Sequence, residues 1–330
     1  MTSGLIIGKF LPPHLGHEYL VNFARCFAER VTVQVCSIAS EPISGRMRYA
    51  WMQETFASAP GITVVHNSDE NPQVPEECPD RFWNIWTDSI FKHMDGRPDL
   101  VFASEDYGAK LAQVLGARYI PVDHERQLFP ISGTSIREDP MTNWRYILPA
   151  ARPWFLKRVA IVGPESSGKS TLARNLATRF NTCYAPEYGR TYLDAVGLNL
   201  DEDAIVTIAR GHRASEEALA LQANRVLISD TECLITRMWS AELIGCVPDI
   251  VEEMVRQGRY DLYLVTSTTE LWVADAQRVQ PEIAARRAFE KQCIEALADM
   301  GRKYLVLTGD WRQREEQAFA AISKLISDMT

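Results

Sequence analysis

A surplus of positive charge is what this sequence most clearly lacks: 35 Lys+Arg stand against 43 Asp+Glu, a formal net charge of −8. Non-specific nucleic-acid binding relies on excess cations that displace counterions from phosphates, so no nucleic-acid partner is expected, and any phosphate binding must be local. Long apolar runs are missing too. No uncharged stretch approaches the roughly 20 residues of a membrane span, and the N-terminus has no charged leader. The seven cysteines, Cys26, Cys36, Cys78, Cys183, Cys233, Cys246 and Cys293, are odd in number and never spaced as CxxC. That excludes a disulfide framework and a zinc ribbon and fits reduced thiols in the cytoplasm. Internal repeats, low-complexity tracts and heptad runs are absent as well.

What is present is an ordinary globular composition, 46% hydrophobic and 24% charged over 330 residues, enough for about two domains, each with its own core. Apolar runs at Gly4 to Gly8, Val31 to Ile38, Leu100 to Ala103 and Tyr119 to Val122 read as strands. Helical spacing separates them, from Leu15 to Phe27, Arg46 to Phe56, Phe82 to Met94 and Tyr107 to Leu115. Pro140, Pro149 and Pro153 then interrupt the chain. A fresh strand at Arg158 to Val162 opens a second series with strands at Val226 to Ser229, Leu262 to Thr266 and Leu305 to Thr308. Its helices are expected at Lys169 to Phe180, Asp201 to Asn224 and Gln313 to Met329. Alternating strand and helix predicts parallel sheets flanked by helices, with domains over residues 1–150 and 156–330.

Between the first strand and first helix of the second half stands GPESSGKST, Gly163 to Thr171, which matches the phosphate-binding pattern G-x-x-x-x-G-K-[ST] in its required context. Gly163 and Gly168 let backbone N–H groups of Glu165, Ser166, Ser167 and their neighbours turn toward phosphates. Lys169 reaches the β/γ oxygens, and Ser170 and Thr171 present hydroxyls, that of Ser170 suited to Mg²⁺. Asp230 closes a strand as a Mg²⁺ ligand does, and Glu187 follows another in APEYGR; either carboxylate can orient or deprotonate a hydroxyl acceptor. Arg278, in the segment Asp275 to Arg278 after Trp272, suits a lid that brings a cation to the phosphoryl group, ahead of Arg286 and Arg287. Trp311 or Arg312 can sandwich an adenine ring, although a helix cap at Asp310 explains that segment equally well.

In the first half, GKFLPPHLGH (Gly8, Lys9, Phe10 through His17) places His14 and His17 three residues apart at the start of a helix. Two imidazole donors beside Lys9 can hold a triphosphate; a zinc pair, core histidines and surface residues are the competing explanations. Ile131 to Arg137, ISGTSIR, shifts the balance. Ser132, Thr134 and Arg137 form a second phosphate clamp, so donors from both ends of the domain converge on one nucleotide.

The pair H-x-G-H and I-S-x-T-x-x-R resembles the nucleotidylyltransferase superfamily. With SEDYG at Ser104 to Gly108, the first half is similar to the nicotinamide mononucleotide adenylyltransferase part of the NadR family. GPESSGKSTL, PEYGRTYL, SDTE at Ser229 to Glu232 and YDLYLVTSTTELWVADAQR resemble that family's ribosylnicotinamide kinase part. The resemblance implies a Rossmann-like nucleotidylyltransferase domain followed by a P-loop kinase domain. The kinase would phosphorylate nicotinamide riboside with ATP. The adenylyltransferase would join the resulting mononucleotide to AMP from a second ATP, giving NAD and pyrophosphate, with Mg²⁺ accompanying each ATP. Carried over, His14, His17 and Arg137 bind ATP phosphates, with Gly8, Lys9, Phe10, Ser104, Tyr107, Ser132 and Thr134 around the nucleotide. RFWNIWTDSIF resembles the nicotinamide-binding segment at Asn84 and Trp86. Several members begin with a helix-turn-helix repressor domain; the first strand here starts at residue 4, so repressor function is expected to be absent. The lid reads DAQR where the family commonly has D-G-x-R, which leaves open a different acceptor or a NAD- and ATP-sensing module with weak turnover. A homo-oligomer is compatible with all of this.

Overall fold

The computed structural model describes residues 1–269 and 277–327, and the chain separates into two compact units, the first ending at Trp154. In the first unit the order is β1 (Ser3–Gly8), α1 (Leu15–Phe27), β2 (Arg30–Cys36), α2 (Gly45–Phe56), β3 (Ile62–Asn67), α3 (Phe82–Lys92), β4 (Leu100–Ala103), α4 (Tyr107–Leu115), β5 (Arg118–Pro121), α5 (Gly133–Glu138) and a single turn, α6 (Arg152–Phe155), at the junction. The five strands form one parallel sheet in the order β3-β2-β1-β4-β5. Successive side chains of the central strand point to opposite faces. Ile6 therefore packs with Val21 and Ala24 of α1 and Met52 of α2, while Leu5 packs with Ile90 of α3 and Leu111 and Leu115 of α4.

The second unit runs β6 (Lys157–Val162), α7 (Lys169–Arg179), β7 (Tyr184–Ala185), α8 (Tyr188–Val196), α9 (Glu202–Ala220), β8 (Val226–Asp230), α10 (Cys233–Leu243), α11 (Asp249–Gln257), β9 (Leu262–Thr266), α12 (Ile283–Asp299), β10 (Tyr304–Leu307) and α13 (Trp311–Ser327). Its parallel sheet is ordered β10-β9-β6-β8-β7. Val159 and Ile161 face α7 and α13; Ala160 and Val162 face the layer that holds α9, α10, α11 and α12. In each sheet the chain leaves the central strand in one direction and later returns to its other side. That reversal opens a crevice beyond the carboxyl ends of the strands, where α/β proteins bind ligands.

The alternation of strand and helix predicts both parallel sheets but not every element. β3 is a half-buried edge strand, with a burial pattern too mixed to stand out in sequence, and β7 is only two residues long. Helices α8, α10, α11 and α12 also go beyond the sequence expectation. The apolar stretch Leu234 to Val247 contributes Leu234 and Ile235 to the core from α10. No described helix is long and apolar enough to cross a membrane.

Candidate functional sites

The first crevice holds a cavity of about 720 Å³ lined by residues following β1 (Gly8, Lys9, Phe10, His14, His17), β4 (Ser104, Tyr107) and the α5 turn (Ser132, Thr134, Arg137). The two motifs from opposite ends of the unit thus meet. Arg137 ties them together: its guanidinium donates to the Leu11 carbonyl and, at 3.1 Å, to Thr134 Oγ1. Gly133 is required by the same closeness, since a Cβ there would stand 2.3 Å from the Leu11 carbonyl oxygen. Tyr107 fixes the opposite wall by donating from its hydroxyl to the Ile7 carbonyl at 2.9 Å.

His14 is the N-cap of α1, and its backbone N–H donates to Nδ1 of His17 at 3.2 Å. That bond fixes the neutral His17 tautomer, leaving Nε2–H as the donor available for a ligand. The rings stack with centroids 3.7 Å apart, and Phe10 closes edge-on against His17 at 4.8 Å. Stacked, buried imidazoles resist charge: burial, reinforced by Arg126, lowers His14 to about 4, and His17 is held well below its usual value mainly by burial, then by His14 and Arg126. Both are neutral at pH 7, dipolar groups rather than cations. A proton that His14 takes up in the unfolded chain below pH 6.5 is refused by the fold until about pH 4, so His14 destabilises the fold progressively over that interval, and His17 acts in the same direction. Ring-nitrogen chemical shifts should place the His14 midpoint near 4; a midpoint near 6.5 would contradict the buried stack.

The far end of the cavity is aromatic, with Phe82, Trp83 and Trp86 from α3. Trp86 lines it and donates from Nε1 to the Pro72 carbonyl at 2.9 Å. Asn84 does not meet Trp86 there: it is exposed on α3 and does not line the cavity. The buried face of α3 is set by Phe82, Ser89 and Ile90, and Asn84 lies on the opposite side. Trp83, one residue earlier, takes the wall position. Glu41 and Arg48, not singled out in the sequence, form a buried ion pair here, with Lys9 3.2 Å from the other Glu41 oxygen.

The second crevice holds a smaller cavity, about 200 Å³, lined by Glu165, Ser166, Gly168, Lys169, Ser170, Thr171, Glu187, Arg190 and Arg278. Gly163, Ser166 and Gly168 all have positive φ, 137°, 55° and 88°, the backbone turn that aims N–H groups inward. Gly168 admits no side chain: a Cβ would lie 1.7 Å from the Trp311 ring. Trp311 thus rests on the loop while remaining 48% exposed, and it does not itself line the cavity. Arg312 is exposed on α13 and does not line the cavity. Ser167 braces the loop instead of facing the cavity. Buried, it donates to the Pro164 carbonyl at 2.7 Å and pairs with Thr266 Oγ1 at 2.6 Å, pinning the loop to the end of β9. Lys169 meanwhile donates from Nζ to the Pro164 carbonyl at 2.9 Å.

Asp230, at the end of β8, is buried, and its Oδ1 has no hydrogen-bond partner among the described residues. Burial first, then Glu187, raises its pKa, against the lowering pull of Lys169 and the Ser170 hydroxyl. Glu187 lines the cavity as Asp230 does not, and accepts from Arg190 Nε at 3.2 Å. Glu165 turns its carboxylate away from the loop to accept from the backbone N–H of Val279 and Gln280, each at 3.0 Å. Of the expected lid, Trp272, Asp275 and Ala276 lie outside the described residues; Arg278 reaches the cavity wall. Arg286 is buried and donates to the Thr269 carbonyl at 2.9 Å, which removes it as an alternative lid cation. His212 on α9, which carries no signal in the sequence, lines the cavity's floor, 3.6 Å from Glu216.

Residues 158–314 match the AAA domain family. Over 321 residues the chain is 32% identical to the trifunctional NAD biosynthesis/regulator protein NadR of Escherichia coli (strain K12), covering 90% of this chain and 77% of that protein. This chain belongs to the NadR family. The Salmonella typhimurium NadR (strain LT2 / SGSC1412 / ATCC 700720) is 31% identical over 319 residues, 90% of this chain and 76% of that one. Two solved NadR structures, one in complex with NR and one with NAD and AMP-PNP, share the fold at 22% identity, with TM-scores of 0.80 and 0.79 over 99% of this chain and 96% of theirs. The NadR fold thus spans both sheets and both cavities.

Proposed function

We propose that this NadR-family chain is a bifunctional NAD-salvage enzyme: residues 156–330 phosphorylate nicotinamide riboside with ATP, and residues 1–150 join the mononucleotide to AMP from a second ATP. The observation that carries it is the presence of two unlike nucleotide cavities, each at the strand-order reversal of its own parallel sheet. The first would be a Rossmann-like nucleotidylyltransferase domain, the second a P-loop kinase.

In the kinase, the orphaned Asp230 Oδ1 beside Ser170 fits Mg²⁺. Those two residues would hold the ion with phosphate oxygens, and the ion would neutralise phosphate charge. Lys169 turns from the Pro164 carbonyl to the β/γ oxygens. Glu187, the carboxylate that faces the cavity, accepts the proton of the acceptor hydroxyl as its oxygen bonds to the γ-phosphorus and ADP departs. Arg278 adds charge from the lid side, and Trp311 offers its open face to adenine.

In the adenylyltransferase, a phosphate oxygen of the mononucleotide bonds to the α-phosphorus of ATP. The bond from that phosphorus to the bridging oxygen breaks, and pyrophosphate leaves with the electron pair. No covalent enzyme intermediate is needed, so the residues act by position and charge. His17 Nε2–H, His14, Arg137, Ser132 and Thr134 serve the phosphates, with Lys9 beside them. Trp83 and Trp86 form a stacking wall for the nicotinamide ring. Incubating the purified chain with ATP, Mg²⁺ and, separately, nicotinamide riboside or the mononucleotide should give NAD from both. Turnover of a different riboside would reassign the acceptor, and no turnover with ATP binding retained would favour a sensor.

A further inference from the structure

The loop between β5 and α5 carries two non-glycine residues in the left-handed region, Asp123 at φ 43° and Arg126 at φ 52°. Side-chain residues rarely adopt this conformation, and where it persists the surroundings must hold it. Here they do. The Arg126 N–H donates to the Asp123 carbonyl at 2.8 Å, and the Asp123 carboxylate accepts from Leu128 N and Phe129 N at 3.3 and 3.4 Å. The result is a turn that delivers the Arg126 guanidinium into the wall of the first cavity. Its field reaches His14 and His17, lowering both.

Among the described residues, Lys9, Arg126 and Arg137 are the cations that line that cavity, and they are held differently. Lys9 sits by buried Glu41, and Arg137 is bound to the Leu11 carbonyl and Thr134. Arg126 is held by an ion pair, Nη2 donating to Glu105 Oε1 at 3.0 Å, with the two side chains 43% and 57% exposed. Exposed pairs of this kind are weak and screened, and Glu105 itself lines the cavity. A triphosphate entering beside the histidines offers a denser negative charge and bidentate acceptors that suit a guanidinium.

We propose that Arg126 is a catalytic cation of adenylyl transfer, stored on Glu105 and passed to the triphosphate when ATP binds. There it neutralises charge that accumulates on pyrophosphate as the bond to the α-phosphorus breaks; no proton or co-reactant is consumed. This rests on the adenylyltransferase reading of the first cavity.

Arg126→Ala should lower kcat for NAD formation from the mononucleotide about 100-fold, and Arg126→Lys should recover part of that loss. Riboside phosphorylation by the second unit should be unaltered, and an unchanged thermal unfolding profile of the whole chain should report correct folding of the first. Glu105→Gln removes the competing partner, so it should lower the KM for ATP several-fold with Arg126 present and have no such effect in the Arg126→Ala background. An Arg126→Ala rate within threefold of wild type would overturn the proposal, as would a Glu105 effect independent of Arg126. If the wild-type chain forms no NAD from the mononucleotide, the adenylyltransferase reading fails instead. Calorimetric titration with ATP then decides on Arg126: the binding component that His17→Ala abolishes should weaken at least tenfold in Arg126→Ala, and equal affinity would refute the transfer.

Discussion

Replacing Lys169 with alanine should reduce phosphorylation of nicotinamide riboside by on the order of 10³-fold while NAD formation from the mononucleotide continues at the wild-type rate. The size follows from where Lys169 stands: at the first position of α7, on the cavity wall, with its ammonium resting on a loop carbonyl. Among the described residues, the Pro164 carbonyl is the hydrogen-bond partner it leaves when it turns toward phosphate, so its removal costs the transition state a full charge and costs the fold little, about 1 kcal/mol for one exchanged hydrogen bond. Separate assays of the two half-reactions on one preparation check this. A parallel loss of both activities would mean that the chain had unfolded or that the two sites are not independent.

The complementary substitution, His17→Ala, should stop the sequence at the mononucleotide. Losing a positioned donor to a developing oxyanion typically costs 10²–10³-fold in kcat, and here Nε2–H is positioned by the bond that Nδ1 accepts from the His14 backbone. Part of the effect is structural, because that bond also caps α1, worth about 1 kcal/mol. A riboside assay would show the mononucleotide accumulating without NAD. Undiminished NAD formation would remove His17 from the site.

Much of this site is legible in sequence because phosphate binding leaves local signatures. Glycines at fixed spacing, a lysine and a hydroxyl at a strand-to-helix junction are dictated by backbone geometry alone, and Gly163 to Thr171 needs no tertiary information. The histidine pair is legible in position but not in state. Spacing places both rings on one helix face, yet that they stack and stay neutral depends on burial by residues such as Phe10, which sequence does not weigh. On α3, the resemblance points to Asn84, which the fold leaves exposed and off the cavity wall, while the neighbouring aromatics Phe82, Trp83 and Trp86 meet the cavity. Ser167 reads as part of the phosphate cradle in sequence, because its partner, Thr266, stands 99 positions away. Arg126 and His212 carry no local pattern at all. One acts from a loop whose left-handed turn depends on Asp123, and the other pairs with Glu216 inside a long helix where an i,i+4 pair ordinarily reads as a surface contact.

Counting co-products per NAD tests the central idea of two working sites in one chain. Starting from nicotinamide riboside, each NAD should be accompanied by one ADP and one pyrophosphate; starting from the mononucleotide, by pyrophosphate alone. NAD formed from the riboside without ADP, or ADP released in step with NAD from the mononucleotide, would contradict the division of chemistry between the two cavities.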